Sequence, residues 1–197
     1  MKKQFTLVEI LVVVFLIGLL TALGFGMYSY AMNSSRERAT RALFARIEAA
    51  IESCNTKLGY IPASTAAKKF NPICFKVESD GTISAISFQE DLTNKTVSDE
   101  YRKEFLKIID AESLKSSINS SHELTDSWGE TIFYAYPGKF NKTSYDLYSA
   151  GADGKLGEVK SGITPTNPTA ANLDNAAIGD FKDTSDNTML CDDIINF

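Results

Sequence analysis

The chain has 197 residues, a net charge of −5 and a single histidine. An acidic chain argues against nucleic acid as a partner, because binding to phosphates needs a basic surface. The three cysteines include no Cys-x-x-Cys pair, which argues against a zinc site. The length suits one domain plus an extension.

The N-terminal region is strongly apolar. No charged residue occurs between Ile10 and Ser35, and about 20 apolar residues are enough to span a bilayer as a helix. The run is longer than the core of a secretory signal peptide, and no Ala-x-Ala cleavage site follows it. We therefore predict a retained membrane helix. Basic residues flank both ends of the run, so charge alone leaves its orientation open.

One carboxylate stands near the start of this apolar run. Glu9 follows Phe5, Thr6, Leu7 and Val8, and a buried carboxylate needs a positive partner. One interpretation places Glu9 at the half-solvated membrane interface. The other is a cleavage before Phe5, whose new α-amine could pair with Glu9 of a neighbouring chain. Such a pair would set the axial register of a helical filament.

The segment FTLVEILVVVFLIGLL resembles the N-terminus of type IV pilins and type II secretion pseudopilins. The resemblance implies a leader peptide over residues 1–4 and cleavage by a prepilin peptidase between Gln4 and Phe5. It also implies N-methylation of Phe5 and an assembly role for Glu9. The family has glycine before the cleaved bond, where this chain has Gln4.

A helical stripe continues beyond the membrane run. Its members recur at spacings of three and four residues, and they are Leu43, Ile47, Ile51, Cys54 and Leu58. Gly59 and Pro62 are typical of a helix end. One interpretation is a single long helix with a membrane and filament-core part over 5–33 and an amphipathic part over 34–60. The other is two helices joined by a hinge.

Residues 61–197 are predicted to form a globular domain. CFKVES and TISAISF, joined around Asp80 and Gly81, are typical of a hairpin. SDEYRKEFLKII predicts a short helix capped by Ser98, with Tyr101, Phe105 and Ile108 facing inward. TIFYAYPG and TSYDLYSA predict two further strands, and residues 161–187 a long surface loop.

The C-terminal region, 150–197, is acidic. Composition alone favours a solvated acidic loop over a calcium site. However, DSWGETIFYAYPG, YDLYSAGADGKLG and DDIINF resemble the C-terminal half of the major pseudopilin of type II secretion, whose loop binds calcium. The resemblance implies Asp153 and the carbonyl of Ala150 as ligands, with Asp193 from the terminal motif. Asp192 substitutes for a carboxylate that the family has where this chain has Cys191.

The histidine, the tryptophan and the cysteines do not indicate a catalytic site. His122 lacks a nucleophilic partner at a suitable spacing and is interpreted as a surface residue. Trp128 is interpreted as a packing residue. Cys54 could pair with Cys74, or Cys74 with Cys191, or no disulfide could form.

Together these features predict an α+β, pilin-like fold with a long N-terminal helix on a small antiparallel sheet. The resemblance implies a structural subunit of a type II secretion filament, not an enzyme. Its partners would be copies of itself, minor pseudopilins, the inner-membrane assembly platform and the prepilin peptidase. It would cross the bacterial inner membrane once, with its C-terminal domain in the periplasm. The alternatives are a type IV pilus subunit for adhesion, motility or DNA uptake, and an anchored periplasmic binding domain that never polymerises.

Overall fold

The computed structural model describes residues 7–64, 69–88, 98–157, 168–176, 181 and 193–196, without the side chains of 22–26. The helices are α1 (Leu7–Leu58), α2 (Asp99–Ile109), α3 (Ala111–Leu114), which a 3-10 turn (Lys115–Ser117) follows, and α4 (Ala170–Asn175). The strands are β1 (Asn71–Pro72), β2 (Cys74–Val77), β3 (Ile83–Ser87), β4 (Phe133–Ala135), β5 (Asp146–Ser149) and β6 (Ile194–Ile195). The chain divides into two compact units, Met1–Arg36 and Glu37–Phe197.

The first unit contains the N-terminal part of α1. Its large apolar side chains are exposed, for example Leu7 at 78%, Phe15 at 65% and Leu20 at 67%. Searched over the described residues, no helix proves long and apolar enough to cross a membrane. The membrane span over 5–33 stays a prediction.

The second unit contains the rest of α1, and here the predicted stripe is largely confirmed. Ile47, Ile51 and Cys54 are fully buried. Leu43 and Leu58, at the two ends of the stripe, are only partly buried. The helix ends as expected, because Gly59 adopts a φ of +77° and its N–H donates to the Asn55 carbonyl at 2.8 Å. α1 is continuous from Leu7 to Leu58.

The strands form a four-stranded antiparallel sheet in the order β1-β4-β5-β6, and β2 and β3 form a separate hairpin. The predicted hairpin and the predicted strands β4 and β5 are confirmed. β1 and β6 were not predicted, because strands of two residues are too short for an alternating pattern. The α+β class with a small antiparallel sheet is confirmed.

Side chains alternate across the four-stranded sheet, as the pleat requires. Tyr134 and Leu147 pack on one face, which we call the inner cluster, together with Ile51 of α1 and Phe105 of α2. The opposite face carries a second group, which we call the outer cluster. Its buried members are Phe70, Phe133, Ala135, Tyr148, Ala150, Leu156, Leu173, Ala176 and Phe181.

α2 begins at the predicted cap. The Ser98 side chain accepts a hydrogen bond from the Tyr101 N–H, and Tyr101 and Phe105 are fully buried as expected. The prediction for Ile108 was wrong in detail, because Ile109 is the fully buried residue and Ile108 is only partly buried. A spacing of four and four from Tyr101 keeps Ile109 on the buried face.

The prediction of a loop over 161–187 is wrong for Ala170–Asn175, which form α4. The Thr169 side chain caps this helix by accepting from the Asn172 N–H. Leu173 and Phe181, both within the predicted loop, are fully buried. These few apolar residues pack on the outer cluster, although the segment around them is polar.

Candidate functional site

The N-terminal assembly residues lie at the edge of the described chain. Gln4 and Phe5 fall outside the described residues. Glu9 lies in the first turn of α1 and is exposed. A carboxylate in the first turn interacts favourably with the helix dipole, so this position suits a charged residue before any partner is considered.

The predicted calcium loop follows β5 directly. Ala150 is fully buried, whereas Asp153 is exposed and its Oδ1 accepts a hydrogen bond from the Lys155 N–H at 2.8 Å. Gly151, Gly154 and Gly157 have φ values of +67°, +64° and +71°. These left-handed residues turn the backbone sharply, so residues 150–157 form a tight loop around an exposed carboxylate.

Asp193 closes the far end of this loop. It is buried, and its Oδ1 accepts from the Tyr148 hydroxyl at 2.8 Å. Its Oδ2 accepts from the Gly157 N–H at 2.7 Å. The predicted ligand Asp193 is therefore also the residue that joins the C-terminal strand β6 to the loop. Asp192 and Cys191 lie outside the described residues.

A second buried carboxylate supports the start of the loop. Asp126 Oδ2 accepts from the Ser149 hydroxyl at 2.6 Å, and Ser149 Oγ accepts from the Gly151 N–H at 3.3 Å. Asp126 Oδ1 accepts from the N–H groups of Trp128 and Glu130. Sequence analysis missed this role of Asp126, although the Asp-x-x-Gly spacing of DSWGE is a turn signal.

Glu130 lies next to the predicted ligand. A Cβ atom at Gly154 would stand 3.1 Å from Glu130 Oε1, so the carboxylate of Glu130 lies against the loop beside Asp153. The structure brings Ala150, Asp153 and Asp193 into one loop region. Among the described residues, however, no three His, Cys, Asp or Glu side chains converge as metal ligands.

One family model matches this region. Residues 89–164 match the model described as Type II secretion system (T2SS), protein G. The match supports the prediction of the pseudopilin family for this stretch. The match covers α2, the DSWGE turn, β4, β5 and the loop 150–157. The comparisons with curated proteins and with solved structures returned no match.

The match supports a type II secretion pseudopilin role in general. The matched family is one of structural secretion components and not of enzymes. It also implies a component that assembles with other pseudopilins at the membrane or in the periplasm.

The two cysteines in the described part of the chain form no disulfide with each other. Cys54 and Cys74 are both buried and Cys54 is a free thiol, so the Cys54–Cys74 pair, one of the open alternatives, is not formed. Burial raises the pKa of the Cys54 thiol from 9.0 to about 11. This thiol therefore stays neutral and unreactive at physiological pH. His122 is exposed, as predicted.

Proposed function

We propose that this chain is a pseudopilin that polymerises through the N-terminal part of α1 into a filament that drives protein export by type II secretion. The observation that carries the proposal is the match of residues 89–164 to the protein G family. That match favours a secretion filament over a type IV pilus, whose subunits have the same type of apolar N-terminal segment.

The exposed apolar surface of α1 supports polymerisation. Leu7, Val14 and Leu20 expose 78%, 64% and 67% of their surface. A helix that is apolar on all sides is stable only within lipid or against other apolar helices. The same surface would thus anchor the subunit in the inner membrane before assembly and form the filament core afterwards. In both states the C-terminal domain would lie in the periplasm.

We assign to Glu9 the role of setting the axial register between neighbouring subunits of the filament. After cleavage by a prepilin peptidase between Gln4 and Phe5, the N-methylated amine of Phe5 would pair with Glu9 of a neighbouring copy. In apolar surroundings only a closely paired carboxylate is tolerated. Glu9 lies in the first turn of α1 and four residues after Phe5 in the sequence.

Glu9→Ala tests this assignment. The full chain would be expressed with a prepilin peptidase, the assembly platform and the minor pseudopilins, and filaments would be counted by electron microscopy. We expect filaments to be lost in Glu9→Ala and kept in Glu37→Ala. Glu37 is a suitable control because its carboxylate is exposed and forms an i,i+4 ion pair with Arg41. Filaments of normal number in Glu9→Ala would refute the proposed pairing.

Mass spectrometry of the N-terminus gives an independent test. A mature chain that begins at a methylated Phe5 supports processing. A chain that keeps Met1 in cells containing the peptidase would favour the anchored binding domain that never polymerises. Secretion genes or pilus-retraction genes beside the coding sequence separate the secretion filament from the type IV pilus.

We further propose that the loop 150–157 binds calcium. Calcium binds to carboxylate and carbonyl oxygens, and this loop offers the exposed carboxylate of Asp153 together with the carbonyl of Ala150. Asp193 bonds to the Gly157 N–H, and each carboxylate oxygen has a second lone pair. Asp193 and Asp192 would complete the protein ligands. A bound ion would stabilise the monomer by cross-linking loop and C-terminus.

Thermal unfolding of the full chain in detergent micelles tests the ion. We expect a higher midpoint in millimolar calcium than in excess EDTA, because a ligand of the native state stabilises it by mass action. Asp153→Asn should abolish the rise, while its amide oxygen can still accept from the Lys155 N–H. The same midpoint in calcium and EDTA for the wild type would contradict the calcium site.

A further inference from the structure

The segment 168–176 is fastened to the sheet by one ammonium group. The Nζ of Lys139 donates to the carbonyl oxygens of Leu173 at 3.1 Å and Asp174 at 2.7 Å. It also donates to the carbonyl oxygen of Ala176. The last carbonyls of a helix have no partner within the helix, and an ammonium has three donors. Lys139 thus donates to three carbonyls at the end of α4, of which the Leu173 carbonyl also accepts from the Ala176 N–H at 3.2 Å.

The loop that carries Lys139 is shaped by a buried carboxylate. Asp146 is fully buried, and it accepts hydrogen bonds from the N–H groups of Phe140 and Asn141, both at 2.8 Å. A Cβ atom at Gly138 would lie 2.5 Å from the Asn141 carbonyl oxygen and 2.7 Å from Asp146 Oδ1. Only glycine permits this close approach, so the backbone on both sides of Lys139 is fixed.

The segment also contacts the chain at points away from Lys139. Asp174 Oδ1 accepts from the Phe70 N–H at 2.8 Å, and Asp174 Oδ2 pairs with Lys69 at 2.9 Å. Leu173 of the segment belongs to the outer cluster. Phe181, which follows the segment in the chain, belongs to it too and packs edge-on against Phe140 at 5.6 Å between ring centroids. The polar segment therefore covers an aromatic surface of the sheet.

We propose that Lys139 is an internal cation that locks the segment 168–176 over the outer face of the sheet and makes its docking independent of a metal ion. Three convergent carbonyls are the kind of donor set that a bound cation gathers from a loop. Here the chain supplies the positive charge itself. The favourable interaction of a cation with the negative end of α4 adds to the hydrogen bonds.

The alternative is that Lys139 is an ordinary surface lysine and that apolar packing alone holds the segment. These interpretations differ in what removal of the charge does. If packing alone holds the segment, Lys139→Met, which keeps the apolar stem, should leave it docked. If the ammonium locks it, the methionine variant should release it although the stem remains.

Hydrogen–deuterium exchange of the full chain in detergent micelles, with and without EDTA, tests the proposal. In the wild type we expect the amides of 168–176 to exchange equally slowly in EDTA and in millimolar calcium. In Lys139→Met we expect them to exchange about tenfold faster or more, because hydrogen bonds to a charged donor are lost. Lys142→Met is the matched control, since Lys142 is exposed in the same loop, and should behave like the wild type.

Two results would overturn the proposal. One is wild-type protection of 168–176 in Lys139→Met. The other is loss of this protection in the wild type on addition of EDTA, which would show that a metal holds the segment. Protection of β4 amides shows whether Lys139→Met is folded. If it is not, Lys139→Arg, which keeps the charge, should retain slower exchange than Lys139→Gln, and equal exchange in these two variants would refute the role of the charge.

Discussion

The two faces of the four-stranded sheet are covered in different ways. The inner cluster is covered by long elements, the part of α1 that belongs to the second unit and α2 with 11 residues. The outer cluster is covered by α4 with six residues and by single apolar side chains such as Phe181. Both faces bury aromatic rings, but the helices on the inner face are longer than the described helix on the outer face.

This difference has an energetic consequence. Residues of the inner cluster are separated widely in sequence and meet through α1, so they become exposed together when the domain unfolds. The segment 168–176 is attached through local packing, the Lys139 ammonium and the side chain of Asp174. It can therefore open while the rest of the domain stays folded. Truncation of a buried aromatic side chain should therefore destabilise the whole domain when the side chain lies on the inner face. On the outer face, the same change should mainly release the segment 168–176.

Phe105→Ala should have the largest effect. Phe105 is fully buried and meets Phe88 edge-on at 5.6 Å between centroids. Removal of a fully buried phenylalanine side chain costs about 3–5 kcal/mol. We expect urea unfolding of the full chain in detergent to show this loss at every probe. A loss confined to α2 amides would mean that the inner cluster is not one cooperative unit.

Phe181→Ala should destabilise the outer face only. Phe181 is fully buried and contacts Tyr148 at 5.8 Å between centroids. We expect faster amide exchange in 168–176 and a decrease in the global free energy of unfolding that is well below that of Phe105→Ala, because the segment opens separately. Equal global losses in the two variants would show that both faces unfold as one unit.

The inner face was largely predictable from the sequence. The stripe of α1 repeats over four turns, and α2 has a cap and an amphipathic pattern, so periodicity and capping reveal both. The strands β4 and β5 are short but rich in aromatic residues. Long, regular elements leave a repeated signal in the sequence, and the error at Ile108 and Ile109 concerned only which of two neighbours is buried.

The outer face was not predictable in the same way. α4 is shorter than two helical turns, and Leu173 and Phe181 stand alone in a polar segment, so no period marks them. The loop 150–157 could be recognised from its glycines and Asp153. The contact of Asp193 with Tyr148, 45 residues away, depends on the pairing of β5 and β6 and leaves no local pattern.

A decrease in pH should change the stability of the domain through Asp146, on the outer side of the sheet. Asp146 lies beside the outer cluster, and burial raises the pKa of this carboxyl above its usual value of 3.8, against the hydrogen bonds from Phe140 and Asn141. The folded state therefore binds the proton more tightly than the unfolded state. As pH falls from neutral through the raised pKa toward 3.8, the wild type should gain stability relative to Asp146→Asn.

This gain is limited to about 1.4 kcal/mol per pH unit, because one group is involved. Urea unfolding of both proteins at several pH values gives the difference between their free energies of unfolding at each pH. The contributions of the other carboxyl groups are the same in both proteins and cancel in this difference. Asp146→Asn should be less stable than the wild type throughout, since an amide cannot accept both N–H groups equally well. A difference that does not change with pH would show that Asp146 has the same pKa in both states.

The smallest effect expected is that of the α2 cap, which tests whether the inner face depends on local hydrogen bonds as well as packing. Ser98 Oγ accepts from the Tyr101 N–H at 3.2 Å and shares a hydrogen bond with the Tyr60 hydroxyl at 2.8 Å. Ser98→Ala should cost about 1 kcal/mol, and Ser98→Asn much less, because asparagine also caps helices. Ser84→Ala, in the exposed hairpin, controls for loss of a surface hydroxyl.

Because α2 packs on the inner cluster, we expect the decrease in stability of Ser98→Ala at every unfolding probe. A loss confined to the first turn of α2 would instead make that turn a local unit, like the segment held by Lys139.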